Sequence, residues 1–175
     1  MSRFVDPLVV GRVIGEVVDL FVPSVAMAVA YGPKDISNGC HIKPSMAAAQ
    51  PLVRISGRRN DLYTLVMTDP DAPSPSDPTM REYLHWIVVN IPGGTDATKG
   101  DTVVPYMGPA PPVGIHRYVL VLFEQKTRAV DGMTAAPADR AYFSTRAFAA
   151  AHDLGLPVAV VYFNSQKEPA HNRRR

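Results

Sequence analysis

The ten residues Asp69-Pro70-Asp71-Ala72-Pro73-Ser74-Pro75-Ser76-Asp77-Pro78 hold four prolines and three aspartates. Proline fixes φ and removes a backbone donor, so the stretch is a rigid loop, not the interior of a helix or strand. Several of its X-Pro bonds could be cis, and such stiffness would hold Asp69 and Asp71 in place. Two histidines stand at the starts of expected strands, His85 beside Trp86 and His116 within Gly114-Ile115-His116-Arg117-Tyr118. An imidazole at a strand mouth can donate a hydrogen bond to an anion and adds a charge when protonated. With Asp69 and Asp71 to hold and protonate them, the histidines make the composition of a small polar pocket.

Other readings of these residues stay open. The aspartates could accept backbone N–H groups in a structural turn, and each histidine could be a satisfied structural residue. Two His and two Asp could ligate a metal, although no His-x-x-x-His or Cys-x-x-Cys spacing is present. Ser74 or Ser76 could be a nucleophile with His85 or His116 as base, but there is no Gly-x-Ser-x-Gly elbow. No catalytic residue, metal ligand or cofactor is therefore assigned.

The elements that carry these groups are mostly strands. Period-2 patterns predict strands at Ser24–Tyr31, Leu52–Ile55, Tyr63–Thr68, Trp86–Ile91, Tyr118–Phe123 and Val158–Phe163. Asp6-Pro7 has the form of a helix cap with proline in the first turn, and Val9, Val10, Val13 and Ile14 are expected on one face before Gly15. A later helix is expected from Thr145 to Leu154, capped by Ser144 or Thr145, with Phe148 and Ala151 on one face and Gly155 as the stop. Strands outnumber helices without alternating with them, which argues against a βαβ fold. A long, exposed and mobile loop is expected at 128–140.

The 175 residues fit one domain, 1–175, with 165–175 expected as a flexible basic tail ending in Arg173-Arg174-Arg175. Apolar residues are 46% and charged residues 19%, ordinary globular usage that allows a sizeable core. Seventeen prolines against twelve glycines imply many stiff, ordered loops. A single cysteine, Cys40, excludes an intramolecular disulfide. A net charge of +2 and the lack of a groove-reading module argue against direct DNA binding. With no signal-peptide pattern and no membrane-length apolar run, the expected location is cytoplasm with access to the nucleus. A monomer is expected.

Asp69 to Pro78, Arg81-Glu82-Tyr83-Leu84-His85-Trp86 and Gly114-Ile115-His116-Arg117, in that order, resemble the signature blocks of the phosphatidylethanolamine-binding family. The resemblance runs from Asp6-Pro7-Leu8-Val9-Val10 to Leu154-Gly155-Leu156-Pro157-Val158. Tyr63 to Asp69, Ile91-Pro92-Gly93-Gly94-Thr95 and Gln166-Lys167-Glu168-Pro169-Ala170 look most like its plant Mother-of-FT branch. It implies a mainly β fold, a large antiparallel sheet with a smaller one packed on it and a few short helices. It also implies a pocket for a phosphate or phospholipid headgroup built from Asp69, Asp71, His85 and His116, with Pro111, Pro112 and Tyr118 as walls. Met80 stands where animal members present a tyrosine, and Ala110 replaces a pocket glycine.

The resemblance further implies a non-enzymatic transcriptional co-regulator in seed germination and dormancy, under abscisic acid and gibberellin, and in flowering time. Promoters and repressors of flowering differ at a position that is Tyr83 here, and at one in an external loop that is Ala141. Partners would be a bZIP transcription factor, reached directly or through a 14-3-3 protein. The positions matching the 14-3-3 contact are Asn60 with Arg58 and Arg59 beside it, Pro92, Lys99 and Arg128, with Lys99 replacing a phenylalanine. The alternatives are a phospholipid or small-anion binder and an inhibitor of a protease or kinase.

Overall fold

The computed structural model describes residues 6–130 and 136–169. Among the described residues, nine strands form two sheets. In chain order they are β1 (Met27–Tyr31), β2 (Lys34–Asp35), β3 (Cys40–His41), β4 (Leu52–Ile55), β5 (Leu62–Asp69), β6 (Tyr83–Pro92), β7 (Asp101–Val104), β8 (His116–Glu124) and β9 (Ala159–Ser165). The large sheet has the order β3-β9-β8-β5-β6-β7, and the small one β2-β1-β4. All pairs are antiparallel except β3 with β9.

The central strands are buried on both faces. On one, Leu65, Met67, Trp86, Val88, Leu120 and Leu122 meet Val29, Tyr31, Val53 and Ile55 of the small sheet. On the other, Val66, Ile87, Val119 and Val121 meet Leu8, Val13 and Val17 from the N-terminal segment and Ala149 and Leu154 from the C-terminal part. Successive side chains point to opposite faces, so a sheet covered on both sides needs near-continuous apolar strands. β5 and β8 have that composition.

Among the described residues three short α-helices complete the layers: α1 (Pro7–Val10), α2 (Val13–Glu16) and α3 (Thr145–Ala151). Asp6 caps α1 by accepting from the Leu8 amide at 2.9 Å. The apolar face expected there does not form. Leu8 and Val13 are buried while Val9 and Val10 are exposed, because the chain turns at Arg12 in the left-handed region with φ 59°. Helix α3 is capped by Ser144, whose hydroxyl accepts from the Ala147 amide at 3.1 Å. It stops at Ala151, short of Leu154, since Asp153 turns left-handed with φ 53°. Ala151 is exposed, and Thr145 and Ala149 are the buried residues of that helix.

β1 begins at Met27, not Ser24, because the Ser24 and Val25 amides both donate to the Val158 carbonyl instead of a ladder. β2, β3 and β7 were not expected from the sequence, and the first two are only two residues long. The expected tail from 165 is partly held. Ser165 is buried at the end of β9, and Glu168 accepts from the Ser45 amide at 2.8 Å and its hydroxyl at 3.0 Å. Arg173, Arg174 and Arg175 lie outside the described residues, as does the middle of the expected 128–140 loop. The flanks of that loop are tied down, Ala129 to the Asn90 amide side chain and Arg140 to β6. No described helix is long and apolar enough to cross a membrane.

Candidate functional site

The C-terminal end of β5 sits between the N-terminal ends of its antiparallel neighbours β6 and β8, with Asp69 opposite Tyr83 and Thr68 opposite Val119. That order alone gathers Asp69, His85 and His116, which lie far apart in sequence. They line a cavity of about 250 Å³ with Met80, Tyr83, Met107, Gly108, Ala110, Pro111, Pro112 and Tyr118. The volume falls just below the ~300–1,000 Å³ of sites for drug-sized ligands, which suits a headgroup-sized ion. Two other hollows, of about 290 and 320 Å³ beside α3, gather no buried carboxylate or imidazole.

Asp69 is buried, and each of its oxygens is used. Oδ1 accepts from the Asp71 amide at 2.7 Å, the local turn that Asp-Pro-Asp favours. Oδ2 lies 2.7 Å from His116 Nδ1, and His116 Nε2 lies 2.8 Å from the Val113 carbonyl oxygen. With an acceptor at each ring nitrogen, His116 is suited to carry both protons. Burial opposes that charge, but the hydrogen bond and charge of Asp69, helped by Val113 and Asp71, raise its pKa above the ordinary value. Burial, then Asp69, also pushes the Tyr118 phenol up, so it stays protonated.

His85 is different. Its Nδ1 lies 2.5 Å from the Met107 carbonyl oxygen and must donate there, and its ring meets Tyr83 and Tyr118 edge-on at 5.5 and 5.2 Å. Burial lowers its pKa against the opposing pull of Met107 and Asp69. A neutral His85 therefore shows the cavity its Nε2 lone pair, and Nε2 has no partner among the described residues.

The structure takes Asp71 out of the cavity lining, which corrects the expectation that it faces a ligand. Its carboxylate turns away to Arg117, with Nε and Nη2 contacts of 2.9 and 2.7 Å and a 2.8 Å bond from the Arg117 amide. Burial disfavours that charge, yet the Arg117 bonds lower the pKa below the usual carboxylate value. Arg117 also reaches Glu16 at 2.6 Å and the Gly11 carbonyl at 2.9 Å, so the group buttresses the N-terminal segment against β8. Ser74 and Ser76 do not pair with either histidine: their hydroxyls bond each other at 3.1 Å. One X-Pro bond of this loop, Ala72–Pro73, is cis. No group of three or more metal-binding side chains is assembled among the described residues.

Sequence reasoning missed the backbone acceptors Met107 and Val113, which no residue type announces. It also missed Arg140, whose guanidinium donates to the Leu84, His85 and Pro105 carbonyls and fixes the chain behind His85. Tyr83 lines the cavity, and Ala141 lies next to Arg140 with its amide donating to Asp139 at 3.1 Å.

The residues matched to a partner contact lie at the other end of the same strands. Arg59, Asn60, Lys99 and Arg128 are exposed and Pro92 is half-buried. Gly93 donates to the Asp61 carbonyl at 2.9 Å, which joins the Arg59-Asn60 turn to the end of β6. Arg128 stands 4.0 Å from Asp101. The eight residues of β5 put roughly 25 Å between this surface and the cavity.

The model of the phosphatidylethanolamine-binding protein family matches residues 27–163. A rice relative, Protein MOTHER of FT and TFL1 homolog 2 (Oryza sativa subsp. japonica), is 76% identical over 99% of this chain and 100% of its own length. Protein TERMINAL FLOWER 1 of Arabidopsis thaliana is 51% identical over 99% of this chain and 97% of its own. Among solved structures, a carboxypeptidase Y inhibitor bound to its proteinase superposes with a TM-score of 0.82 at 24% identity, covering 93% of this chain and 94% of that one. The chain belongs to the phosphatidylethanolamine-binding protein family, among the plant regulators of the Mother-of-FT and Terminal Flower type.

Proposed function

We propose that the protein is a non-enzymatic adaptor that alters transcription in the cytoplasm and nucleus, joining a bZIP factor to its regulators directly or through a 14-3-3 protein. The observation that carries this reading is the separation of two features on one rigid sheet. A half-open, anion-sized cavity, whose histidines are bonded to carbonyls and a carboxylate, stands at one end, and an exposed turn with Arg58 and Arg59 stands at the other. The names of the relatives support a developmental role, and the Mother-of-FT likeness points to seed germination and dormancy under abscisic acid and gibberellin, with flowering time as a further output. Affinity capture from nuclei of germinating seeds should recover a bZIP factor or a 14-3-3 protein with the tagged chain, and recovery of neither would count decisively against the adaptor.

A second reading, a binder of phosphate or a phospholipid headgroup, is favoured by the cavity itself. It is compatible with the first, because an anion seated between β5, β6 and β8 would stiffen the sheet that presents the distant surface. Replacement of His85 by Ala should weaken binding of a phosphorylated ligand, and unchanged binding would remove the cavity from the account. Inhibition of a protease or kinase has no support beyond fold similarity.

A further inference from the structure

At the end of the large sheet away from the cavity, β6 breaks its regular pairing with β5. Tyr63 pairs with Ile91 and Leu65 with Val88, so Val89 and Asn90 together oppose Thr64 in a β-bulge. Asn90 takes the left-handed conformation there, with φ 59°, and is 4% exposed. Both atoms of its side-chain amide are fully used. Oδ1 accepts from Gln125 Nε2 and from the Ala129 amide, each at 2.9 Å. Nδ2 donates to Asp101 Oδ2 at 2.9 Å and to the Ala129 carbonyl at 2.8 Å. The Asn90 backbone amide donates to Gln125 Oε1 at 2.7 Å, which also accepts from the Thr64 hydroxyl at 2.8 Å. Gln125 Nε2 reaches the Thr127 carbonyl as well, at 3.1 Å.

These bonds bracket Arg128. The carbonyl of the residue before it is held by Gln125, and both backbone groups of the residue after it are held by Asn90, as a neighbouring strand would hold them. Asp101 Oδ2, fixed by Asn90, is also the oxygen 4.0 Å from the Arg128 guanidinium. We infer that Asn90 and Gln125 are positioning residues of the partner surface: their amides fix the backbone on either side of Arg128, so that its guanidinium is held ready for a carboxylate on the docked partner. The inference rests on the reading that this end of the sheet docks a 14-3-3 protein. A bulge gives up ladder pairing and is a recurrent means of re-aiming a side chain, and a fully satisfied buried polar network is rigid. A cation carried on a fixed backbone loses less freedom on binding than one on a free loop, and so binds more tightly.

The test is calorimetric titration of the full chain with a 14-3-3 protein and a phosphorylated bZIP C-terminal peptide, in the native, Asn90→Gly, Arg128→Ala and doubly substituted proteins. Glycine keeps the left-handed bulge and deletes only the side-chain bonds. Asn90→Gly should weaken binding about 5–10-fold in the native background. With Arg128→Ala already present it should weaken binding less than about twofold, because it acts through that side chain. Amide hydrogen exchange should accelerate at Ala129 in Asn90→Gly and stay unchanged at Leu65, Val66 and Met67. Where near-UV circular dichroism shows Asn90→Gly to be misfolded, Gln125→Ala takes its place in the cycle with the same expectation. Additive losses in the double variant would overturn the inference, as would native affinity in either single variant. Absence of binding by the native chain would instead remove the docking reading on which it rests.

Discussion

Replacing Asp71 by Asn removes one negative charge from a buried network without changing side-chain volume. Asp71 is only 4% exposed, and its two oxygens take three bonds from Arg117, whose side chain is itself 12% exposed. Breaking a buried pair by removing one partner costs about 3–5 kcal/mol. Glu16, 2.6 Å from the same guanidinium, keeps part of its compensation, so the low end applies, about 3 kcal/mol. For a chain of this size that corresponds to a fall in Tm of roughly 6–12 °C. The folded-state pKa of Asp71 is depressed, so its contribution is present above the unfolded value near 4 and is lost as pH falls through the folded one. Urea denaturation should therefore show a wide gap between native and Asp71→Asn proteins at pH 7 that narrows toward pH 3. Since Asp71 does not line the cavity, affinity for a phosphorylated ligand should change less than about twofold. A Tm loss under about 2 °C, or a gap as wide at pH 3 as at pH 7, would refute the buttress; a collapse of ligand affinity in a folded variant would return Asp71 to the site.

The buried His116–Asp69 pair makes a prediction of opposite sign. The raised pKa of His116 means its contribution is full below the unfolded value near 6.5 and lost as pH rises through the folded value. Imidazole NMR shifts should place its midpoint above 6.5, and one below would remove the charged pair. In the same spectra His85 should titrate below 6.5 or stay neutral throughout. Thr145→Val should cost about 1–3 kcal/mol, because the Thr145 hydroxyl donates at 2.6 Å to the buried Glu82 carboxylate, whose pKa burial raises. Chemical denaturation reads this, and a neutral substitution would show that water serves Glu82 equally well.

Much of the frame was legible because the central strands are long and apolar on both faces. The stretch Tyr63–Thr68 reads as a strand from the sequence, though as an alternating one with a single buried face, where the structure buries Leu65, Val66 and Met67 alike; Asp6-Pro7 and Ser144 mark their helix starts by capping chemistry. The two-residue strands at Lys34 and Cys40 carry no period to detect, and they exist only because β1 and β9 offer them an edge. The site divides similarly. Side chains at Asp69, His85 and His116 could be named from residue type and position in the loop and strand pattern. Which nitrogen remains for a ligand depends on the carbonyls of Met107 and Val113, which every residue possesses and only the fold can aim. Asp71 looked equivalent to Asp69, and the difference lies in Arg117, one residue past His116, whose side chain projects to the opposite face of β8.

The adaptor reading is tested most directly by isothermal titration of the protein with a 14-3-3 protein, alone and with a phosphorylated bZIP C-terminal peptide, beside the Lys99→Phe variant. Phenylalanine there would supply the apolar anchor that such interfaces favour. The account predicts micromolar or tighter binding by the native chain in the presence of the peptide, strengthened in Lys99→Phe. Binding gained only in the variant, with none by the native chain, would contradict a 14-3-3 bridge through the Arg59, Asn60, Pro92 and Arg128 surface.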